Sequence, residues 1–174
     1  MKIDIIPKIK EIPLHVMLAT QNTIAFPKHY PEDSDGDTSL PGEIISYFQS
    51  LMIALVAADG DLDEGEAEAF AAFFRTDDGD DYFEDFDNVM DTVQNNLSSS
   101  IETAGKVPFF FRVICMHDRS ENSNVSQQVF DNIKSFIEEI VTSDGEIQQE
   151  ESNLFNQIKS IYMDFAKSEG LIVE

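Results

Sequence analysis

Asp59-Gly60-Asp61-Leu62-Asp63-Glu64-Gly65-Glu66 returns 85 residues later as Asp144-Gly145-Glu146-Ile147-Gln148-Gln149-Glu150-Glu151. Both copies read Asp-Gly-acid-aliphatic-x-x-x-Glu. At the same offset Ile44, Ile45, Phe48, Leu51, Met52, Leu55 and Val56 fall on Val129, Phe130, Ile133, Phe136, Ile137, Ile140 and Val141. Downstream, Phe70 falls on Phe155 and Phe73 on Ile158. Apolar residues spaced by three and four share one face of a helix. Each copy therefore reads as a helix entering an acidic turn and a second helix leaving it, an internal duplication.

Working outward, Pro41 suits a first helical turn, and the helical period runs from Ile44 to Ala58, where Gly60 is placed to end it. Asp63 and Glu66 have capping-box spacing, so the next helix is expected to start near Asp63 and to bury Phe70, Phe73 and Phe74. A helix from Tyr82 places Phe83, Phe86, Val89, Met90, Val93 and Leu97 at core spacing and is expected to end at Ser98-Ser99-Ser100. Pro108 opens a short helix, Phe109 to His117, apolar on most sides and so expected to be central. Asp118 to Asn124 reads as a polar loop. The second repeat helix spans about Ser126 to Ser143, and a last helix runs from Gln149 to about Lys167 before Gly170 releases a tail.

Residues 1 to 40 carry Pro7, Pro13, Pro27 and Pro31, which break any long helix. The expectation there is an extended Met1 to Ile12 and a helix from Leu14 to Phe26 with Leu14, Met17, Leu18 and Ala25 inward. No stretch alternates like a strand, so the class is all-α, a single-domain bundle of six or seven helices. Its organisation reads as an N-terminal extension (1–40), a helical body (41–168) with repeat halves at about 42–75 and 127–160, and a tail (169–174).

The chain has 174 residues, enough for one core, and 42 % are hydrophobic, which agrees with a globular chain. Acids number 34 against 11 Lys and Arg, a formal charge of -23. That sign opposes phosphate backbones and anionic lipid, and leaves cations, a basic protein partner or plain solvation as its uses. Thirteen acids and one base, Arg75, lie between Asp59 and Asp87. The single Cys115 excludes an internal disulfide and fits a reducing compartment. No secretion signal is visible, and the longest apolar run, Leu51 to Ala58, is far short of the roughly 20 residues that span a bilayer. A cytoplasmic location is the expectation.

In an EF-hand register with Gly60 at position 6, Asp59, Asp63 and Glu66 fall on ligand positions, but positions 1 and 3 become Leu55 and Ala57, or Ile140 and Thr142 in the second copy. Calcium takes about six to eight oxygens, so neither turn alone makes a conventional site. Two half-sites pooled by the repeat would offer Asp59, Asp61, Asp63, Glu66, Asp144, Glu146 and Glu151 to a divalent cation, Ca or Mg. The plainer reading is turn and cap chemistry, with acids favoured at helix N-termini. His15, His29 and His117 lack the paired spacing of a zinc site. Cys115 reads as an inert core thiol. Phe109-Phe110-Phe111 reads as core before docking surface. No nucleophile elbow, phosphate loop or HExxH pattern accompanies the acids, so the chain reads as non-enzymatic.

Two helices ending in Ala-Asp-Gly or Ser-Asp-Gly, each followed by an aliphatic residue and then Glu, resemble the TerB tellurite-resistance family and its relatives in DjlA-type co-chaperones. The resemblance covers about residues 42 to 166. It implies a TerB-like helical fold, divalent-cation binding at the acidic turns with Asp59, Glu66, Asp144 and Glu151 as carried-over ligands, and an interaction module of stress-response or phage-defence assemblies, sometimes at the membrane. Residues 1 to 40 and Asp77 to Asp87 lie outside the family pattern. The alternative is an acidic inhibitor, immunity or nucleic-acid-mimic protein that covers a basic partner surface.

Overall fold

The stripe Ile44, Phe48, Leu51, Met52 and Leu55 forms the inner face of α2 (Leu40–Val56), the spine of the molecule. The computed structural model describes residues 6–23, 40–58, 64–74, 86–142 and 149–174. Around α2 lie α1 (Ile6–Thr23), α3 (Glu64–Phe74), α4 (Phe86–Ala104), α5 (Phe109–Glu121), α6 (Val125–Val141) and α7 (Gln149–Ser168). The described residues thus form a seven-helix bundle with no strand among them.

From Leu51 to Ala57 every side chain of the α2 end is buried, so this helix meets protein on all sides there. It packs most extensively along α4, while α1 lies along α6. Phe48 meets Phe136 edge-on at 4.8 Å and joins α2 to α6. The expectation that α5 would be central holds for one face, where Phe110, Phe111, Ile114 and Cys115 are fully buried, but not for the other, where Phe109 is 39 % and Met116 63 % exposed. A short helix can be apolar in composition yet still present one face to water.

The bounds of α2 and α6 recur at the 85-residue offset at both ends, and α3 and α7 begin 85 residues apart. The paired core positions agree in burial from Ile44 and Val129 through Val56 and Val141, with one break. Ile45 is 43 % exposed, whereas its counterpart Phe130 is buried and stacks on Tyr162 at 5.7 Å.

The N-terminal reading is overturned. α1 runs through Pro13, and its inward stripe is Ile9, Ile12, Val16 and Thr20. Leu14 and Leu18, expected inside, are 51 % and 55 % exposed. Proline inside a helix loses one backbone hydrogen bond at a cost of about 3 kcal/mol. Burial of three aliphatic side chains against neighbouring helices, at about 1.5–3 kcal/mol each, is of a size to offset that. Ala25 and Phe26 lie outside the described residues.

Helix α4 also outruns its expected end, passing through Ser98-Ser99-Ser100 to Ala104, with Ser100 buried. The polar side chains bond back to their own helix: Asn96 Nδ2 donates to the Thr92 carbonyl at 2.8 Å, and Ser99 Oγ to the Asn96 carbonyl at 2.9 Å. Such local bonding lets polar residues stay helical. Tyr82 and Phe83 lie outside the described residues. In α7, Ile158, Tyr162 and Ala166 are buried, and Leu154, Phe155 and Phe165 pack against the core from its edge, while Ile161 is only half-buried.

Candidate functional site

Of the predicted ligands, Asp59, Asp61, Asp63, Asp144 and Glu146 lie outside the described residues. Glu66 falls in α3, with its side chain outside them as well. Glu151 sits in the first turn of α7 and is buried. A carboxylate there faces the positive end of the helix dipole. The expected divalent cation is corrected: among the described residues no group of three or more His, Cys, Asp or Glu side chains could hold a metal ion. The structure does not bring Glu151 into such a group.

One face of α2 carries Glu43, Ser46, Tyr47 and Ser50, and together with Thr103 in the last turn of α4 and Lys106 just beyond, it lines a cleft of about 320 Å³. Val107 and Pro108, just before α5, complete its lining. Pro108, the N-cap, supplies no side-chain cap, and Glu43 Oε1 accepts from the Phe110 N–H at 3.3 Å instead. A carboxylate from another helix thus serves an unpaired N-terminal donor. The sequence signal was present but unread: proline before an apolar helix leaves its N-terminal donors in need of a foreign acceptor.

Behind Glu43 lie the hydroxyls of Tyr47 and Tyr162, both buried and without a hydrogen-bond partner among the described residues. Burial pushes both phenols up; the two hydroxyls approach each other but not in good hydrogen-bond geometry. They stay neutral hydroxyls. Cys115, also fully buried, has its thiol pushed up to about 12, first by burial and then by the Asp118 carboxylate, so it is no nucleophile.

At the α5–α6 corner the expected polar loop is corrected. Helix α5 continues to Glu121, and Asp118 is buried inside its last turns. Asn122 turns the chain in the left-handed region, at φ 54°. The Asp118 carboxylate accepts from Ser123 Oγ at 2.5 Å, the Val125 N–H at 3.1 Å and the Ser126 N–H at 2.7 Å. Burial opposes its ionisation, but the bonds from Ser123, Ser126 and Val125 outweigh it and hold the carboxyl below its usual range. His117 Nδ1 stands 3.3 Å from Ser123 Oγ and 3.8 Å from Asp118. Serine, histidine and aspartate are together, yet the aspartate is spent on the serine and on two α6 amides and does not orient the imidazole. The corner is a helix cap.

The tail after α7 is held by α6. Gln127 Oε1 accepts from the Glu174 N–H at 3.0 Å, and its Nε2 donates to the Glu174 carbonyl oxygen at 3.2 Å. Lys134 Nζ donates to the same oxygen at 2.7 Å.

No family model, curated protein or solved structure matches this chain. The TerB resemblance therefore rests on the doubled motif alone. Among the described residues no helix is long and apolar enough to cross a membrane.

Proposed function

We propose that this chain is a non-enzymatic interaction module whose anionic surface docks onto a basic face of a protein partner. The charge surplus carries this reading. Even if every one of the 11 Lys and Arg side chains found an acid within the fold, the molecule would still hold a formal charge of -23. Several of those cations are paired on its surface, as in Lys8 with Glu139, Lys106 with Glu102, and Arg119 with Glu169. A field of one sign speeds encounter with basic surfaces and rejects acidic ones.

The matching bounds of α2 and α6 support an internal duplication, and with it a TerB-like two-half body. In the setting that resemblance implies, the module serves a stress-response or phage-defence assembly. An acidic inhibitor that covers a basic surface would use the same field, and the surplus charge favours it equally.

Affinity capture from the native cell at low ionic strength, followed by titration of the recovered protein with salt, tests the proposal. The expected result is a basic partner whose Kd weakens at least about tenfold as screening shortens from about 10 Å to about 3 Å. A Kd indifferent to salt would remove the anionic surface from recognition.

A further inference from the structure

The formal charge is not spread evenly over the helices. α1 carries Lys8, Lys10 and Glu11, and α5 carries Arg112, Asp118, Arg119 and Glu121, so the two together hold four bases against three acids. That is a formal +1, which leaves -24 to the rest of the chain. The two helices pack against each other in the bundle. They also hold four of the seven exposed large apolar side chains among the described residues, Leu14 and Leu18 on α1 and Phe109 and Met116 on α5.

On α1 the outward stripe is Glu11, Leu14 and Leu18, spaced by three and four on the side opposite Ile9, Ile12 and Val16. On α5 Phe109, Arg112 and Met116 repeat that spacing, opposite the buried Phe110, Ile114 and Cys115. Glu11 and Arg112 are both exposed, and among the described residues neither joins an ion pair, with each other or with any other side chain. In a chain with 34 acids, Arg112 stands without one. Lys8 and Arg119, by contrast, are taken up by Glu139 and Glu169 of the same chain.

We propose that the outward faces of α1 and α5 form a docking surface for a second copy of this chain, related by a twofold axis so that α1 of each copy lies on α5 of the other. A twofold contact must be self-complementary. One free acid on one helix and one free base on its neighbour meet that condition, because Glu11 of each copy then pairs with Arg112 of the other, twice in the dimer. Leu14 and Leu18 cover Phe109 and Met116, and water leaves both apolar stripes. Charge selects the occupant. Two copies at -23 each can approach closely only where neither is acidic, and this is the one pair of packed helices whose own charge is not negative. A basic partner, in contrast, is drawn to the acids on every other side. Screening therefore strengthens the self-contact, opposite in sign to the basic-partner reading, whose Kd weakens with salt.

Sedimentation equilibrium of the full chain, up to about 1 mM protein and in about 0.05 M and about 0.5 M salt, tests this directly. The dimer should tighten at least about tenfold with the added salt. Leu18→Glu and Met116→Glu, at exposed positions that leave the core intact, should each weaken it at least about tenfold. Ile172→Glu adds the same charge at an exposed site away from both helices and should change it less than about twofold. Glu11→Arg decides the pairing, because it moves the net charge by two, from -23 to -21, and a contact governed by overall repulsion would then grow stronger. Pairing with Arg112 requires the reverse, a dimer weakened about threefold or more in about 0.15 M salt, and recovered when Arg112→Glu is added and the net charge returns to -23. A chain monomeric at about 1 mM in about 0.5 M salt overturns the proposal. So does a dimer that Leu18→Glu and Met116→Glu weaken no more than Ile172→Glu does, or one that Glu11→Arg strengthens. None of these results touches the basic-partner reading, which rests on the acids outside α1 and α5.

Discussion

Asp118 joins two helices through one carboxylate. It belongs to α5, yet its acceptors serve the first amides of α6. Replacing it with alanine leaves one buried and one part-buried amide without their acceptor, and we expect a loss of about 1–3 kcal/mol in chemical denaturation. Its pH behaviour has a definite sign. A carboxyl held below its unfolded value stabilises the fold above the unfolded pKa of about 3.9, and that contribution disappears as pH falls through the lower folded pKa. The stability gap between the wild type and Asp118→Asn should therefore be full at neutral pH and close below about pH 4; a gap constant with pH would show that the carboxylate's charge contributes nothing. At Tyr47 and Tyr162 the expectation is reversed. Each hydroxyl is buried without a partner among the described residues, so Tyr162→Phe should be neutral or stabilising by up to about 1 kcal/mol. A loss larger than that would show that the hydroxyl is paired. Neither feature was legible in the sequence, because the partners of Asp118 sit five, seven and eight residues away across a turn, and the rings of Phe110 and Tyr162 that close over Tyr47 come from other helices.

Among the elements, α2 and α6 were readable because their apolar period is long and unbroken. In α1 a boundary at Pro13 puts Leu14 and Leu18 inward, whereas the helix passes through the proline and buries Ile9, Ile12, Val16 and Thr20, with Met17 packed at the edge of the core as expected. The phase of α1 gives a direct check. Ile9→Ala should cost about 2–5 kcal/mol, whereas Leu18→Gln should change stability by less than about 0.5 kcal/mol. The inward stripe that the sequence suggested requires the opposite order. α4 was cut short for a related reason: three serines look like a loop by composition, and only their local bonding and the burial of Ser100 keep them helical. The acidic turns were the most conspicuous feature of the sequence, and the cation expected there finds no ligand group among the described residues. Short acidic motifs serve turns, caps and metals alike, so spacing could not separate these uses.

For the molecule as a whole, a charge of -23 places repulsion inside every folded copy. Added salt should raise the melting temperature, by about 3 °C for each 1 kcal/mol of repulsion screened in a chain of this size. A melting temperature flat in salt would mean that the acids are spread widely enough not to strain the fold. α2 and the tail should differ in local stability. Buried on all sides over its second half, α2 has amide hydrogens that exchange with solvent only when the whole bundle opens. The Glu174 amide, held by a single side chain, exchanges whenever the tail lifts. Deuterium uptake at these two places should therefore give two separate clocks in one molecule, one for global unfolding and one for the lifting of residues 171–174.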